Sequence, residues 1–164
     1  MKKLRNILLS VAMILVVILS TACTNKDTTT TKKDTNATKT FVKKQNSVKS
    51  TVTYTYIENE DKVLKQTTVN EGVYAELPNA KTKEAVQKVL DPIAKKYQGI
   101  KGIKHSIDYQ EDKFVENLEI DYENIDYEKA KEILGKDFAD PSKTKISMKK
   151  TEELLTNQGF KEQK

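Results

Sequence analysis

The sequence has few of the residues that most often carry catalysis and specific anion recognition. Its 164 residues include one cysteine, one histidine and no tryptophan, and Arg5 is the only arginine. A chain with a single cysteine cannot form an internal disulfide. A chain whose only arginine lies near its start also lacks the guanidinium groups that recognise phosphate and guanine most specifically. These absences argue against a disulfide scaffold and against a sequence-specific nucleic-acid-binding protein.

The charge balance supports the second exclusion. The formal net charge is +5, but Lys2, Lys3 and Arg5 lie in a segment that we predict is removed. Without those three, the 29 basic residues fall to 26, against 24 acidic residues. A chain this close to neutrality attracts nucleic acid or anionic lipid only weakly. We therefore expect the lysines to form a solvated surface and predict no nucleic-acid partner.

The first 22 residues have the pattern of a signal peptide. The basic residues near Met1 are followed by an apolar run over residues 7–19, which only Ser10 interrupts. That run is shorter than the roughly 20 residues that a transmembrane helix needs, and it suits the apolar core of a signal peptide. Small residues then precede the single cysteine in Leu19-Ser20-Thr21-Ala22-Cys23.

This segment resembles the lipobox of bacterial lipoproteins, with one departure, because Ser20 stands where leucine is usual. The resemblance implies that a dedicated peptidase cuts between Ala22 and Cys23, and that the Cys23 thiol carries a diacylglyceryl group. The alternative is an ordinary secretory signal followed by an unrelated cysteine. We predict a signal peptide over residues 1–22 and a lipid attachment at Cys23, which anchors the chain to the extracytoplasmic face of the cell membrane.

The segment after Cys23 has no apolar periodicity. Residues 24–40 are almost all threonine, lysine, aspartate and asparagine. Such a segment buries too little apolar surface to offset the entropy cost of folding. We predict a disordered tether over residues 23–40, including the lipidated Cys23, and a single α+β domain over residues 41–164.

The pattern of the remaining residues predicts two β-hairpins and three helices. Alternating apolar residues over 48–56 and 62–73, and again over 103–109 and 114–122, indicate half-buried strands joined by polar turns. Apolar residues at helical spacing predict a helix over 82–97, kinked or restarted at Asp91-Pro92, and shorter helices capped by Asp126 and Ser147. The predicted order is β-β-α-β-β-α-α, an α+β fold with helices on one face of an antiparallel sheet.

Four segments carry a resemblance to a known family. They are Tyr54-x-Tyr56, DKVLKQTT from Asp61, YQGIKGIKHSIDY from Tyr97 and SMKKTEELL from Ser147. Together they resemble the YehR family of small bacterial lipoproteins over residues 41–164. The resemblance implies a compact α+β domain on a lipid anchor, and it implies no catalytic residue and no cofactor.

One acid–base pair is a candidate site. If Glu111-Asp112 forms a two-residue turn, His105 faces Leu118, and Glu116 is the diagonal neighbour of His105. Diagonal neighbours lie within side-chain reach, so the pair is either a structural hydrogen bond or the acid–base centre of an enzyme. One histidine and one glutamate fall short of a zinc ligand set, so we predict no metal. The acidic run that includes this glutamate lacks the order of a calcium loop and is expected to form a solvated face; its members are Glu116, Glu119, Asp121, Glu123, Asp126 and Glu128.

The seven tyrosines leave a second question open. Several occupy core-facing positions, where packing accounts for them. If Tyr54, Tyr56 and Tyr74 instead cluster on the open sheet surface, they could stack sugars or a peptide. We therefore treat Tyr54, Tyr56, Tyr74, His105 and Glu116 as candidate binding residues.

The sequence favours a lipoprotein whose domain binds a small molecule, a glycan strand or a protein and has no enzymatic activity. No serine nucleophile motif is present, and lipid would block the Cys23 thiol. The alternative function is a small hydrolase or metal-dependent enzyme centred on His105 and Glu116.

Overall fold

The computed structural model describes residues 36–135 and 138–164. The predicted signal peptide, Cys23 and most of the predicted tether lie outside these residues. Among the described helices, none combines the length and the apolar character that a membrane span requires.

The described chain folds around one six-stranded sheet, in which every pair of neighbouring strands is antiparallel. The order across the sheet is β4-β5-β3-β2-β1-β6. The strands are β1 (Asn36–Gln45), β2 (Val48–Ile57), β3 (Lys62–Val73), β4 (Ile103–Tyr109), β5 (Lys113–Asp121) and β6 (Lys161–Gln163). Strands β4 and β6 therefore form the two edges.

In the described residues, each of three α-helices is preceded by a capping residue whose side chain accepts a hydrogen bond from a backbone N–H of the first helical turn. They are α1 (Lys83–Tyr97), α2 (Tyr127–Leu134) and α3 (Met148–Asn157). Their caps are Thr82, Asp126 and Ser147, each of which accepts a hydrogen bond from the backbone N–H three residues on. Pro92 lies inside α1, which continues through it, so the helix does not restart at Asp91.

The predicted α+β fold and its order of two hairpins and three helices are confirmed, with two strands added. The tether prediction was wrong for its last residues, because Asn36–Gln45 is a full strand that pairs with β2. Its threonines and lysines lie on a strand that pairs on both sides, so backbone hydrogen bonds and the buried Phe41 hold it. The other added strand, β6, pairs with residues 40–42 of β1.

One face of the sheet is buried, and its side chains form rows across the strands. The strand registers give the row Val52, Thr68, Leu118 and His105, and next to it the row Ser50, Asn70, Glu116 and Ile107. The larger apolar cluster includes Val52 and Leu118, and a smaller cluster includes Val48, Phe114 and Leu90. Three residues of the second row, Ser50, Asn70 and Glu116, thus form a polar line between two apolar clusters.

Candidate functional site

A set of polar side chains, most of them in two separate hydrogen-bonded groups, crosses the buried face of the sheet. We call it the polar belt and define it as Ser50, Gln66, Thr68, Asn70, His105, Glu116 and Tyr122. Ser50, Gln66, Thr68, Asn70 and Glu116 are each at most 3% exposed. Groups buried this deeply remain favourable only when they are hydrogen-bonded.

Glu116 is the centre of one half of the belt. Its Oε1 lies 2.8 Å from His105 Nε2, and its Oε2 accepts a hydrogen bond of 2.8 Å from Asn70 Nδ2. The hairpin register is the expected one, with His105 opposite Leu118 and Ile107 opposite Glu116. The diagonal contact between His105 and Glu116 that the turn length predicts is therefore present.

The surroundings of His105 favour a structural role for this contact. The His105 side chain is 1% exposed and that of Glu116 is 4% exposed. The Tyr97 ring at the end of α1 stacks on the imidazole, with the ring centroids 4.9 Å apart. Burial, helped by the nearby Glu116 carboxylate, raises the pKa of Tyr97 to about 12, so its hydroxyl stays neutral near pH 7. The helix therefore covers the pair.

Tyr122 and Gln66 form the other half of the belt. The Tyr122 hydroxyl donates to Gln66 Oε1 at 2.8 Å, and Gln66 Nε2 donates to Thr68 Oγ1 at 3.0 Å. Burial raises the pKa of Tyr122 strongly. Within the described residues, Tyr54 Oη, Asn70 Oδ1 and His105 Nδ1 are buried without a hydrogen-bond partner.

The structure corrects the alternative in which tyrosines line an open sheet surface. Tyr54 is 0% exposed, Tyr56 9% and Tyr74 4%. The first two lie in the larger apolar cluster and Tyr74 lies in the smaller one. The reason is the strand register, because the even-numbered positions of β2 all face the helices. These three rings pack the core and are not available to stack on a ligand.

Two surface clefts stand out in the described part of the chain, and neither is lined by His105 or Glu116. One is a wide depression of about 700 Å³ beside Tyr74, Lys83 and Tyr109. The other has a volume of about 470 Å³ and is half enclosed. We call the second one the acidic cleft. Among the described residues, no group of three or more His, Cys, Asp or Glu side chains is placed to hold a metal ion.

The acidic cleft lies where the end of β5, the start of α2 and the loop before α3 meet. Its apolar lining consists of Val63, Ile125, Pro141 and Ile146, and its aromatic lining of Tyr122 and Tyr127. Its charged lining consists of the acids Glu123, Asp126, Glu128 and Asp140 and the bases Lys62 and Lys145. Apolar walls with a few convergent polar groups are typical of small-molecule sites.

The lysines of the acidic cleft are already engaged. Lys62 Nζ lies 3.4 Å from Glu123 Oε1, and Lys145 Nζ donates to the backbone oxygen of Glu60 at 2.8 Å. Hydrogen bonds from Ser142, to which Lys143 adds, lower the pKa of the Asp140 carboxyl and keep it ionised. Glu128 has no ion pair within 4 Å among the described residues. The lining residues therefore carry a net negative formal charge, although Lys129 and Lys143, which lie outside the lining, pair with Asp126 at 3.5 Å and with Asp140 at 3.1 Å.

Local hydrogen bonds fix the wall of the cleft that joins β5 to α2. Asp121 Oδ1 accepts from the backbone N–H of Glu123 at 3.1 Å, and its Oδ2 accepts from Asn124 Nδ2 at 2.9 Å. Gly102 has a φ of +81°, and a Cβ atom there would lie 2.5 Å from Ile125 Cα. Only glycine allows this close approach, which holds the cleft wall against the start of β4.

Sequence reasoning missed both Asn70 and the cleft. The inward residues of β3 include the polar Gln66, Thr68 and Asn70, and its outward residues are also mixed, so hydropathy did not distinguish the two faces. The acidic run from Glu116 to Glu128 was predicted to be a solvated face, and this prediction was wrong for Glu116, which is buried and bonded to His105 and Asn70. A cluster of carboxylates beside Tyr122 and Tyr127 at one strand end was the available signal for the cleft.

Comparison with known families gives one family match. A model described as a protein of unknown function, DUF1307, matches residues 37–161. Uncharacterized lipoprotein Lin0239 of Listeria innocua is 43% identical over 129 residues, which cover 79% of this chain and 82% of the relative. Uncharacterized lipoprotein YehR of Escherichia coli is 33% identical over 132 residues, which cover 80% and 84%. The resemblance predicted from four sequence segments is therefore confirmed.

Two solved structures have a similar fold. The NMR structure of Escherichia coli YehR superposes with a TM-score of 0.64 at 32% identity, covering 80% of this chain and 93% of that chain. An NMR structure of a protein from Streptococcus pneumoniae TIGR4 gives a TM-score of 0.54 at 20% identity, covering 88% and 99%. The second likeness concerns the fold alone.

Proposed function

This chain belongs to the DUF1307 family and is a lipoprotein, and we propose that its folded domain is a binding module whose ligand site is the acidic cleft. The ligand is a small molecule that carries an amine or several hydroxyl groups, such as a fragment of the cell envelope. The observation that carries this proposal is the negative lining of a half-enclosed cleft of about 470 Å³.

The chemistry of the cleft favours a cationic or polyhydroxylated ligand over an anionic one. Carboxylates accept hydrogen bonds from ammonium and hydroxyl groups and repel anions. Tyr127 is partly buried, and its ring lies beside the carboxylates at the start of α2. Lys131 Nζ lies 5.5 Å from the centroid of this ring and Phe138 stacks on it at 5.8 Å, so Tyr127 adds apolar contact to the cleft. Lys62 is paired with Glu123, and Lys145 donates to a backbone oxygen, which fixes the position of its ammonium group without neutralising the charge.

The proposal gives the His105–Glu116 pair no catalytic role. Both side chains are nearly inaccessible, and α1 covers them through Tyr97. A general acid or base must come within hydrogen-bond reach of its substrate. Neither the acidic cleft nor the depression beside Tyr74, Lys83 and Tyr109 provides that reach.

The anchoring part of the proposal is a lipid on Cys23 after removal of residues 1–22, with the domain on the extracytoplasmic face of the membrane. Because β1 begins at Asn36, only residues 24–35 separate the anchor from the sheet. That segment reaches at most ~40 Å when it is fully extended. Cys23→Ala should abolish the incorporation of labelled palmitate in cells. Label that still enters the variant would contradict the assignment.

The cleft is tested by titrating the ¹⁵N-labelled protein with three probes and following amide shifts. The probes are a lysine-containing tetrapeptide amide, an N-acetylglucosamine trisaccharide and citrate. We expect the peptide or the sugar to shift residues 122–128 and 140–146, and citrate to shift none of them. Glu128→Lys should weaken the binding of the peptide at least tenfold, because it adds a cation to the cleft.

The matched control is Glu132→Lys, which makes the same charge change one helical turn further along α2. Glu132 is exposed and does not line the cleft, so the affinity should change less than twofold. An equal loss of affinity in both variants would show that the effect comes from the overall charge of the protein. Shifts confined to residues outside the cleft, or no shift with any probe, would overturn the proposal.

A further inference from the structure

One edge of the sheet is a long strand with unpaired backbone groups. Strand β4 pairs with β5 on one side only. The bonds Asp121 N–H to Gly102 O (2.7 Å) and Gln110 N–H to Lys113 O (2.9 Å) show that even-numbered residues direct their backbone groups toward β5. In an antiparallel ladder the alternate residues then direct theirs away from it. Ile103, His105, Ile107 and Tyr109 thus present the free edge.

Two of these outward groups already have partners within the chain. The Ile103 N–H donates to Ile100 O at 3.1 Å, and Tyr109 O accepts a hydrogen bond from Lys83 Nζ at 2.7 Å. The groups left over are Ile103 O, Tyr109 N–H, and both backbone groups of His105 and of Ile107. Among the described residues none of these has a hydrogen-bond partner outside the sheet.

A second copy of β4 fits this set of groups in one register. Antiparallel pairing around a two-fold axis at Ser106 places His105 opposite Ile107 of the second copy, and Ile103 opposite Tyr109 of the second copy. In this ladder the Ile103 N–H of one copy would face Tyr109 O of the other copy. These are the two groups that already have hydrogen-bond partners within their own chain. Every remaining outward group then has a partner, so the free edge is self-complementary.

The exposed side chains of β4 agree with the same register. Lys104, Ser106 and Asp108 are exposed on the solvent face of the strand. The two-fold axis places Lys104 opposite Asp108 of the second copy, in a non-hydrogen-bonded pair, where side chains come closest. Shifting the register by one step in either direction brings Lys104 opposite Ser106 or Gln110 and removes this charge match. Lys104 Nζ also lies 2.9 Å from Glu119 Oε1, so the lysine would lie between two carboxylates.

We propose that two copies of this lipoprotein pair through their β4 edges into a two-fold dimer with one sheet continuing across both. Among the described residues the opposite edge ends in β6, which has only three residues and pairs with residues 40–42 of β1. Edge strands are templates for strand addition. The interface is a short strand pair, so its affinity in solution is low. Confinement of both copies to one membrane by their anchors raises their effective concentration.

The test is disulfide trapping of the full-length chain in the membranes of living cells. Ser106→Cys places one new thiol on the two-fold axis, where the Cα atoms of the two copies are about 4.5 Å apart, within the range of a disulfide. After mild oxidation we expect most of this variant to run as a disulfide-linked dimer. The unmodified chain shows whether Cys23 contributes any dimer.

Lys104→Cys is the matched control on the same face of the same strand. In the proposed register the two new thiols lie about 13 Å apart, so the dimer yield should be at least tenfold lower. Equal dimer yields from both variants would show that the cross-links arise from random collisions and not from paired strands, which would overturn the proposal. A cross-link of Ser106→Cys to another protein in place of itself would also overturn it, and so would the absence of a dimer in a folded protein.

A charge swap separates pairing from chance contact. Asp108→Lys in the Ser106→Cys background sets like charges opposite each other and should lower the dimer yield at least fivefold. Adding Lys104→Asp restores opposite charges across the axis and should restore the yield. A double variant that stays as low as the single one would contradict the register. These results do not depend on the acidic cleft, which lies outside β4.

Discussion

The polar belt and the acidic cleft use the same residue types in opposite ways. Glu116 is 3% exposed on β5, bonded to His105 and Asn70, and shielded from water. Glu128 at the start of α2 is exposed and has no ion pair within 4 Å among the described residues. The belt is therefore closed to solvent, and the cleft has an exposed carboxylate. Burial and partners, more than residue type, separate the two roles.

The two regions also differ in how accessible their side chains are. The sole histidine and its glutamate form the contact that a catalytic pair would need, at 2.8 Å. Access is what they lack, because Tyr97 stacks on the ring. The cleft is open to solvent and its lining has more acids than bases, yet its residues are common surface types. Three predictions test this division, from the largest expected effect to the smallest.

Removing the central carboxylate of the belt should have the largest effect. Glu116→Ala leaves the buried Asn70 amide and the His105 ring without their partner. We expect a loss of about 3 kcal/mol in the free energy of unfolding, since breaking a buried hydrogen-bonded pair strands its polar partners. Urea denaturation followed by circular dichroism measures this loss.

Glu116→Gln is the control that distinguishes hydrogen bonding from charge. The amide oxygen can accept from Asn70, and the amide nitrogen can donate to a neutral His105 ring. We expect a loss of about 1 kcal/mol or less. A glutamine variant as unstable as the alanine variant would show that the belt depends on an ion pair, and peptide binding at the cleft should be unchanged in either case.

Gly102→Ala should have an intermediate effect, because it acts on the backbone approach that holds the cleft wall. The added Cβ meets Ile125 Cα at 2.5 Å, whereas at Gly99 nothing lies within 4 Å. Both glycines have positive φ, at +81° and +74°, so Gly99→Ala measures the backbone strain alone. We expect Gly102→Ala to cost about 2 kcal/mol more than Gly99→Ala.

The thermal midpoints of the two alanine variants check this difference. The Gly102→Ala variant should also bind the tetrapeptide amide more weakly, because the contact shifts Ile125 in the cleft lining. Equal midpoints would mean that the wall moves freely away from β4. The cleft would then be a less rigid site than its hydrogen bonds indicate.

The smallest effect concerns acid sensitivity at Asp121. Hydrogen bonds from the Asn124 side chain and from the backbone N–H groups of Glu123 and Asn124 lower the pKa of the Asp121 carboxyl. A carboxyl whose pKa is lower in the folded than in the unfolded state stabilises the fold above its unfolded pKa, about 3.9. That contribution is lost as the pH falls through the folded pKa.

Asp121→Asn should therefore cost under ~1 kcal/mol at pH 7, since the site is close to solvent. The difference from the unmodified protein should shrink below about pH 4. Stability measured from pH 2 to 7 checks this dependence. Glu132→Gln removes an exposed charge outside the turn and serves as the control. A difference that grows toward low pH would contradict the sign.

Much of the fold was predictable because it is encoded locally. The boundaries of β3, the caps Thr82, Asp126 and Ser147, and the register of the β4–β5 hairpin all follow from short patterns of alternation, capping and turn residues. The contact between His105 and Glu116 belongs to this class, since one two-residue turn fixes it.

The missed features depend on residues that are distant along the chain. Strand β1 resembles a disordered segment in composition, and its pairing with β2 and β6 orders it. Asn70 meets Glu116 only because β3 and β5, which are not consecutive in the chain, are neighbours in the sheet. The acidic cleft combines residues near positions 62, 125 and 142, so no window of sequence contains it.

The sequence by itself determined the class of fold, the hairpin register and the resemblance to a lipoprotein family. It could do so because periodicity, caps and turns act over a few residues. The tertiary structure decided which glutamate is buried, which tyrosines pack the core and where the cleft lies. Those outcomes depend on which strands become neighbours and how closely two backbones approach, as at Gly102 and Ile125. Packing of the whole domain determines such contacts.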